Sequence, residues 1–188
     1  MPVRLFDALV ERASDQHGYV TSRDARELGI DPTQLRLMAA RGRLERAGRG
    51  VYRVLVLPRG EHDDLAGAIA WARGRGVISH ESALLLHGLS DVNPSRVHLS
   101  APRDNHPRAR GGELYRVHRR ALAPSDVTQV EGLPVTTVER TLRDCLAIGT
   151  DPYQLQRALD RAEAEGLVHP VTARALRREL APKGSIDD

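Results

Sequence analysis

The sequence predicts an α+β chain, with a winged helix-turn-helix over residues 1–57 followed by a mixed α/β domain over residues 61–188. Three observations predict this fold class. Two short helices with capping signals flank a glycine-containing turn, a glycine-rich hairpin follows them, and later segments alternate between helical and strand periodicity. The segment Pro58-Arg59-Gly60 lies between the two parts and is typical of a linker.

The first helix is predicted by the spacing of its apolar residues. Phe6, Leu9, Val10 and Ala13 fall at positions i, i+3, i+4 and i+7, which places them on one face of a helix. Gly18 is suited to end this helix, because glycine readily adopts the left-handed conformation that follows many helices.

The next two helices are predicted by their N-caps. Thr21, with Asp24 three residues later, has the form of a capping box and begins a short helix. After a glycine-containing turn, Asp31 is suited to cap a third helix, because its carboxylate accepts bonds from free backbone N–H groups. Pro32 stands at the first position of that helix, which is expected to stop at Gly42.

A hairpin is predicted directly after the third helix. Residues 43–47 and 51–55 are joined by Gly48-Arg49-Gly50, and the glycines supply the positive φ that a tight hairpin turn needs. The resulting order of three helices and a hairpin is that of a winged helix-turn-helix.

The rest of the chain predicts alternating helices and strands. Thr136 is expected to cap a helix that has Glu139 at its third position. We expect further helices near 65–72, 79–87, 153–164 and 172–180, and strands at 77–78, 97–99 and 114–118.

The composition excludes several classes of protein. The chain has 188 residues, of which 40% are hydrophobic and 28% charged, and no apolar run approaches the roughly 20 residues that cross a bilayer. No secretion signal is visible at the N-terminus. Cys145 is the only cysteine, so no internal disulfide can form and nothing indicates an oxidising compartment. We therefore expect a cytoplasmic protein.

The positive charge is concentrated in the first third of the chain. The formal net charge is +3, but residues 1–60 carry 11 arginines against 7 acidic residues, whereas the remainder carries 17 basic against 18 acidic residues. An excess in this part is expected if it contacts phosphates. Arginines on a solvated surface would give the same counts, since Lys183 is the only lysine and the chain favours arginine generally.

The third helix and the hairpin supply the candidate DNA-binding residues. The N-terminal part of a recognition helix faces base edges in the major groove, where arginine favours guanine, glutamine favours adenine, and an aliphatic side chain can touch a thymine methyl. Hairpin arginines suit phosphates or the minor groove. Alternatively, Gln34 acts only as a capping side chain. The candidates are Thr33, Gln34, Arg36, Leu37 and Arg41 on the helix, and Arg46, Arg49 and Arg53 on or beside the hairpin.

A second basic cluster lies in the C-terminal domain. One interpretation is that the cluster forms a second surface, which binds nucleic acid or an acidic partner. The other is that it is only a solvated loop together with the outer face of a strand. Its arginines are Arg103, Arg108, Arg110, Arg116, Arg119 and Arg120.

Neither metal binding nor catalysis is expected. His80 and His87 share a helix face, but no third ligand stands at a spacing that is typical of a metal site. A nuclease centre would need a carboxylate pair and a nearby lysine, whereas Lys183 lies in a predicted tail and no Glu-x-Lys or Walker A pattern occurs. We expect no catalytic residue, no metal and no cofactor.

Three segments, taken together, resemble the AbiEi family of antitoxins. The first segment is Gly18-Tyr19-Val20-Thr21, with Gly29-Ile30, Arg43-Leu44-Glu45-Arg46 and Gly50-Val51-Tyr52-Arg53 after it. The second is Ser79-His80-Glu81-Ser82-Ala83-Leu84-Leu85-Leu86-His87-Gly88-Leu89. The third is Gly132-Leu133-Pro134-Val135-Thr136-Thr137, running into Arg140-Thr141-Leu142-Arg143-Asp144.

The resemblance implies an antitoxin of a type IV toxin–antitoxin system. Such antitoxins repress their own operon by binding inverted repeats in double-stranded DNA, and they neutralise a toxin of the nucleotidyltransferase class, typically without a stable complex. A chain that is monomeric in solution and pairs on DNA fits this interpretation. The alternative is a winged-helix regulator whose C-terminal domain senses a ligand or is catalytic.

Overall fold

The computed structural model describes residues 2–104 and 112–180 and shows an α+β chain. Eight helices lie in these residues: α1 (Pro2–Ser14), α2 (Ser22–Glu27), α3 (Pro32–Ala40), α4 (Asp63–Ala72), α5 (His80–Leu86), α6 (Val138–Ile148), α7 (Pro152–Ala164) and α8 (Pro170–Leu180). The strands among them are β1 (Tyr19–Thr21), β2 (Leu44–Gly48), β3 (Val51–Val54), β4 (Val77–Ile78), β5 (Val97–Ala101), β6 (Tyr115–Arg119), β7 (Val127–Val130) and β8 (Leu133–Thr136).

The N-terminal region contains α1 to α3 and a small antiparallel sheet in the order β1-β3-β2. Its core brings the apolar faces of the three helices against the sheet, and includes Leu9, Leu35 and Val54, all fully buried. The N-caps are those expected. Thr21 and Asp24 form a capping box, and Asp31 accepts from a backbone N–H of α3. This region is helix-turn-helix-like, with the β2–β3 hairpin after α3.

The C-terminal region is built on a five-stranded mixed sheet in the order β6-β5-β4-β8-β7. Strands β4 and β8 are parallel, as are β5 and β6, while the other neighbours are antiparallel. One apolar cluster joins α4 to this sheet, and a second joins α5 to α6, α7 and α8. Among the described residues, no helix is both long and apolar enough to cross a membrane.

The two regions pack directly on each other. Tyr19 of β1 and Val51 of β3 belong to the same buried cluster as Leu65 and Trp71 of α4. The segment predicted as a linker therefore connects two regions that share a packed interface. The division of the chain at this segment remains a prediction.

The predicted fold class is confirmed, but two local predictions of the C-terminal region were incomplete or wrong. The β7–β8 hairpin was not predicted from the sequence. The N-cap of α6 was predicted at Thr136, whereas the hydroxyl of Thr137 accepts from Arg140 N. Thr136 instead ends β8 and is fully buried, where its hydroxyl shares a 2.7 Å hydrogen bond with that of Thr141.

Candidate nucleic-acid interface

The helix α3 has one buried face and one exposed face. Leu35 and Met38 are buried in the N-terminal core. The five residues predicted to contact bases or phosphates are all exposed: Thr33, Gln34, Arg36, Leu37 and Arg41. A short helix that buries one stripe and exposes polar side chains on the other face can enter a major groove.

Local hydrogen bonds hold the start of α3. Asp31 Oδ1 accepts from Thr33 N at 2.7 Å and so caps α3. A capping role for the Gln34 side chain, which would be directed to a different N–H group, stays a prediction. The guanidinium of Arg36 donates to Thr33 Oγ1 at 3.3 Å. Both of these side chains are exposed, so this bond can be exchanged for one to a base or phosphate oxygen.

A groove of about 910 Å³ opens between α2, α3, the β2–β3 hairpin and α4. Six arginines line it: Arg23, Arg26, Arg36, Arg46, Arg49 and Arg73. Three of these were predicted from the sequence. Arg23 and Arg26 on α2, and Arg73 at the end of α4, were missed. The arginine excess of the first 60 residues includes Arg23 and Arg26, whereas Arg73 lies beyond them and reaches the groove only through the packing of α4.

The two acidic residues of the groove already have partners. Glu27 forms ion pairs with Arg23 at 2.8 Å and Arg12 at 3.1 Å, and the hydrogen bond from Arg23 is the main cause of its lowered pKa. Burial opposes ionisation of Asp24, but hydrogen bonds from Thr21 outweigh it and lower the pKa of Asp24. Both carboxylates are thus held as anions by groups of the chain itself, and the groove keeps an excess of positive charge.

The tip of the hairpin is held from both sides. Gly50 O accepts from Ser22 N at 2.8 Å, and Arg49 O accepts from the guanidinium of Arg73. Gly50 has a φ of +71°, and a Cβ at this position would lie 2.9 Å from Ser22 Oγ. The turn therefore requires glycine, and its contacts leave the side chains of Arg46 and Arg49 exposed.

The prediction that Arg53 contacts DNA is wrong. This side chain is 4% exposed, and its Nε lies 3.0 Å from Asp63 Oδ1. Its Nη2 also donates to Leu57 O at 3.1 Å. Position on the hairpin suggested a surface arginine, but β3 is the central strand of its sheet and is covered by α4, so Arg53 faces the interface between the two regions.

The second basic cluster is only partly described. Arg116 and Arg119 are exposed on the edge strand β6. Arg120 is half exposed and forms an ion pair with the buried Asp144. Arg103 is exposed and has an interaction within the chain. Arg108 and Arg110 lie outside the described residues.

Three histidines from separate elements meet on one face of the five-stranded sheet. His80 begins α5, His98 lies on β5 and His118 on β6, and one ring nitrogen from each lies within 4.8 Å of the others. The rings of His80 and His118 stack, with centroids 3.5 Å apart. Burial is the largest cause of their low pKa values, about 2 for His80 and about 4 for His98 and His118.

This cluster was missed from the sequence, where helical spacing paired His80 with His87. The two do not act together, since His87 Nε2 donates to Thr136 O at 2.7 Å. His98 and His118 come close because β5 and β6 are parallel neighbours, in a register that pairs Ser100 with His118. No sequence spacing signals such a register.

Comparison with known proteins assigns both regions to one family. Residues 7–55 match the family described as "Transcriptional regulator, AbiEi antitoxin", and residues 75–185 match "AbiEi antitoxin C-terminal domain". No curated protein matches the chain. The crystal structure of the RV2827C protein from Mycobacterium tuberculosis is similar at 17% identity and a TM-score of 0.46, over 96% of this chain and 83% of that one. On the two family matches, this chain belongs to the AbiEi family of antitoxins and transcriptional regulators.

Proposed function

We propose that the chain is a DNA-binding autorepressor and the antitoxin of a type IV toxin–antitoxin system, which neutralises a toxin of the nucleotidyltransferase class. The observation that carries the DNA-binding part is the arginine-lined groove between α2, α3, the hairpin and α4. Family membership supports the antitoxin part.

Each element of the groove has a distinct role in the proposal. The exposed side of α3 reads bases, with Arg36 suited to guanine and Gln34 to adenine. The hairpin acts as the wing, and Arg46 and Arg49 contact phosphates, as does Arg73 beside them. Such phosphate contacts add affinity that depends on salt but little on sequence.

Repression requires two copies on one operator. A single α3 reads only a few base pairs, whereas two recognition helices about 34–36 Å apart read an inverted repeat. We therefore propose that the chain pairs on double-stranded DNA at an inverted repeat in its own promoter. The pairing raises affinity through effective concentration, without adding base contacts of its own.

No catalytic step is assigned to this chain. The C-terminal region supplies the antitoxin activity, by an action on the toxin's pathway or on the toxin itself. The exposed arginines of β6, Arg116 and Arg119, are the first candidates for a surface that takes part in it.

Two assays in cells test both parts of the proposal. A reporter driven by the DNA upstream of the gene measures repression, and co-expression with the neighbouring toxin gene measures growth. The variant with Arg36→Ala and Arg49→Ala should lose repression and still rescue growth, because the substitutions leave the C-terminal region intact. If the wild-type chain neither represses the reporter nor rescues growth, the proposal is wrong. Loss of growth rescue in the variant would contradict the separation of the two activities.

A further inference from the structure

We propose that His80, His98 and His118 form a binding site for a single divalent metal ion of the zinc type. One ring nitrogen of each lies within 4.8 Å of the others. Two ring nitrogens, Nδ1 of His98 and Nε2 of His118, are buried and have no hydrogen-bond partner among the described residues. Buried polar atoms are nearly always satisfied, so we expect an ion or a water molecule to be bound at these two atoms. The site is separate from the arginine-lined groove and from the proposed DNA binding.

The separation of the nitrogens suits a metal ion after a small adjustment. Zinc binds imidazole nitrogen at about 2.0–2.1 Å, so the ligand atoms of a tetrahedral site lie about 3.3 Å apart. The ring nitrogens lie at most 4.8 Å apart here. Rotation of the imidazole rings can shorten these distances to the value of about 3.3 Å of a tetrahedral site. The stacked rings of His80 and His118, 3.5 Å apart, leave no space for a polyatomic ligand between them, whereas an ion can bind at their edges. Three imidazoles leave a fourth position for water or another ligand.

A second layer of hydrogen bonds orients His80. Its Nδ1 lies 2.9 Å from Ser79 Oγ, which also accepts from Ser100 Oγ at 2.9 Å. With the proton on Nδ1, the lone pair of Nε2 is free to bind an ion, and such partners of a ligating histidine commonly set its tautomer and ring orientation. His80 also has a φ of +54°, a strained conformation for a residue with a Cβ, and strain of this kind concentrates at functional sites.

The surrounding charges provide a way to separate a cation site from an anion site. The positive charges of Arg116 and Arg120 contribute to the low pKa values of His80 and His118. Arg120 is also paired with Asp144. Arg116 lies on exposed β6 and repels a bound cation, whereas it would attract an anion. The substitution Arg116→Gln therefore tightens metal binding severalfold in this proposal, and it would weaken binding of an anion such as phosphate.

Metal titration of the full-length chain tests the proposal. After treatment with a chelator, the protein is titrated with Co²⁺, read by its visible absorption, and with Zn²⁺ in competition with a chromophoric chelator. We expect one ion per chain. His98→Asn and His118→Asn should each weaken Zn²⁺ binding at least about tenfold, and Ser79→Ala by about 10–100-fold. His169→Asn, at an exposed histidine outside the cluster, is the matched control and should bind as the wild type does.

The variants must first be shown to fold, by circular dichroism. His118→Asn, on an edge strand and only partly buried, keeps the test decisive if His98→Asn fails to fold. Wild-type protein that binds no Co²⁺ or Zn²⁺ would overturn the proposal, as would a folded His118→Asn variant with wild-type affinity. Thermal stabilisation by inorganic phosphate that disappears in Arg116→Gln, without stabilisation by Zn²⁺, would assign the site to an anion instead.

Discussion

Arg53 and Asp63 form a buried ion pair that joins β3 to the first turn of α4, with Nε of Arg53 3.0 Å from Oδ1 of Asp63. Tyr19 donates to the other carboxylate oxygen at 3.2 Å, and Arg59 contacts the same oxygen at 3.0 Å. The Asp63 carboxylate and the Arg73 guanidinium, which donates to Arg49 O, therefore both bond the hairpin to the C-terminal region, and the two regions should unfold together.

Removing one partner of this pair should be strongly destabilising. Asp63→Ala leaves the Arg53 guanidinium buried without its counter-ion, and we expect a loss of about 3–5 kcal/mol in the free energy of unfolding. Urea denaturation followed by circular dichroism measures it. Replacing both partners with apolar residues, as in Arg53→Met with Asp63→Leu, should restore much of the loss. Equal losses in the single and double variants would show that the ion pair is not the cause.

The turn of the hairpin gives a second stability test. Gly50→Ala places a Cβ 2.9 Å from Ser22 Oγ at a φ of +71°, and should cost about 1–3 kcal/mol. Gly60→Ala is the matched control, because nothing lies within 4 Å of its Cβ position and its φ is not in the left-handed region. Thermal unfolding of both variants measures the difference. Similar melting temperatures for the two would mean that the turn does not depend on glycine.

Salt dependence tests the assignment of phosphate contacts to the hairpin. Arg46→Ala and Arg49→Ala should each reduce the magnitude of the negative slope of log K against log salt concentration by about 0.9, because each substitution removes one proposed contact with a phosphate. The reduction in affinity should be the same for operator and unrelated DNA, because phosphates carry no sequence information. Fluorescence anisotropy at several salt concentrations gives the slopes. An unchanged slope in the double variant would remove these arginines from the interface.

The single cysteine should be inert in the folded chain. Cys145 is fully buried, and burial raises its pKa to about 12, so at pH 8 it is a thiol rather than the reactive thiolate. Alkylation by iodoacetamide should be slow in the native protein and fast in denaturant, and mass spectrometry follows it. Equal rates in the two conditions would show that α6 opens readily.

The helices and the hairpin of the N-terminal region could be predicted closely because their signals are local, whereas strand β1, which pairs with the distant β3, was not predicted. The capping box of Thr21 and Asp24, the cap at Asp31 and the glycine turn before β3 each depend on neighbours within a few residues. Local signals also placed Arg36 and Arg49 on the exposed surface.

What could not be predicted depends on tertiary packing. Arg53 has the same local setting as a surface arginine of a hairpin, and it is buried only because α4 supplies Asp63. Arg73 joins the groove for the same reason. The histidine cluster requires the parallel pairing of β5 with β6, which brings together residues from three segments that no local pattern connects.

Binding of the full-length chain to the DNA upstream of its own gene tests the central claim most directly. We predict that the chain prefers this DNA over an unrelated sequence. We also predict that Arg36→Ala costs about 1–3 kcal/mol at one base position of the inverted repeat, measured on a panel of single-base variants. Gln34→Ala should relax the preference at a neighbouring position. A wild-type chain that binds operator and unrelated DNA equally, or an Arg36→Ala variant with an unchanged preference at every position, would contradict the claim that α3 reads DNA.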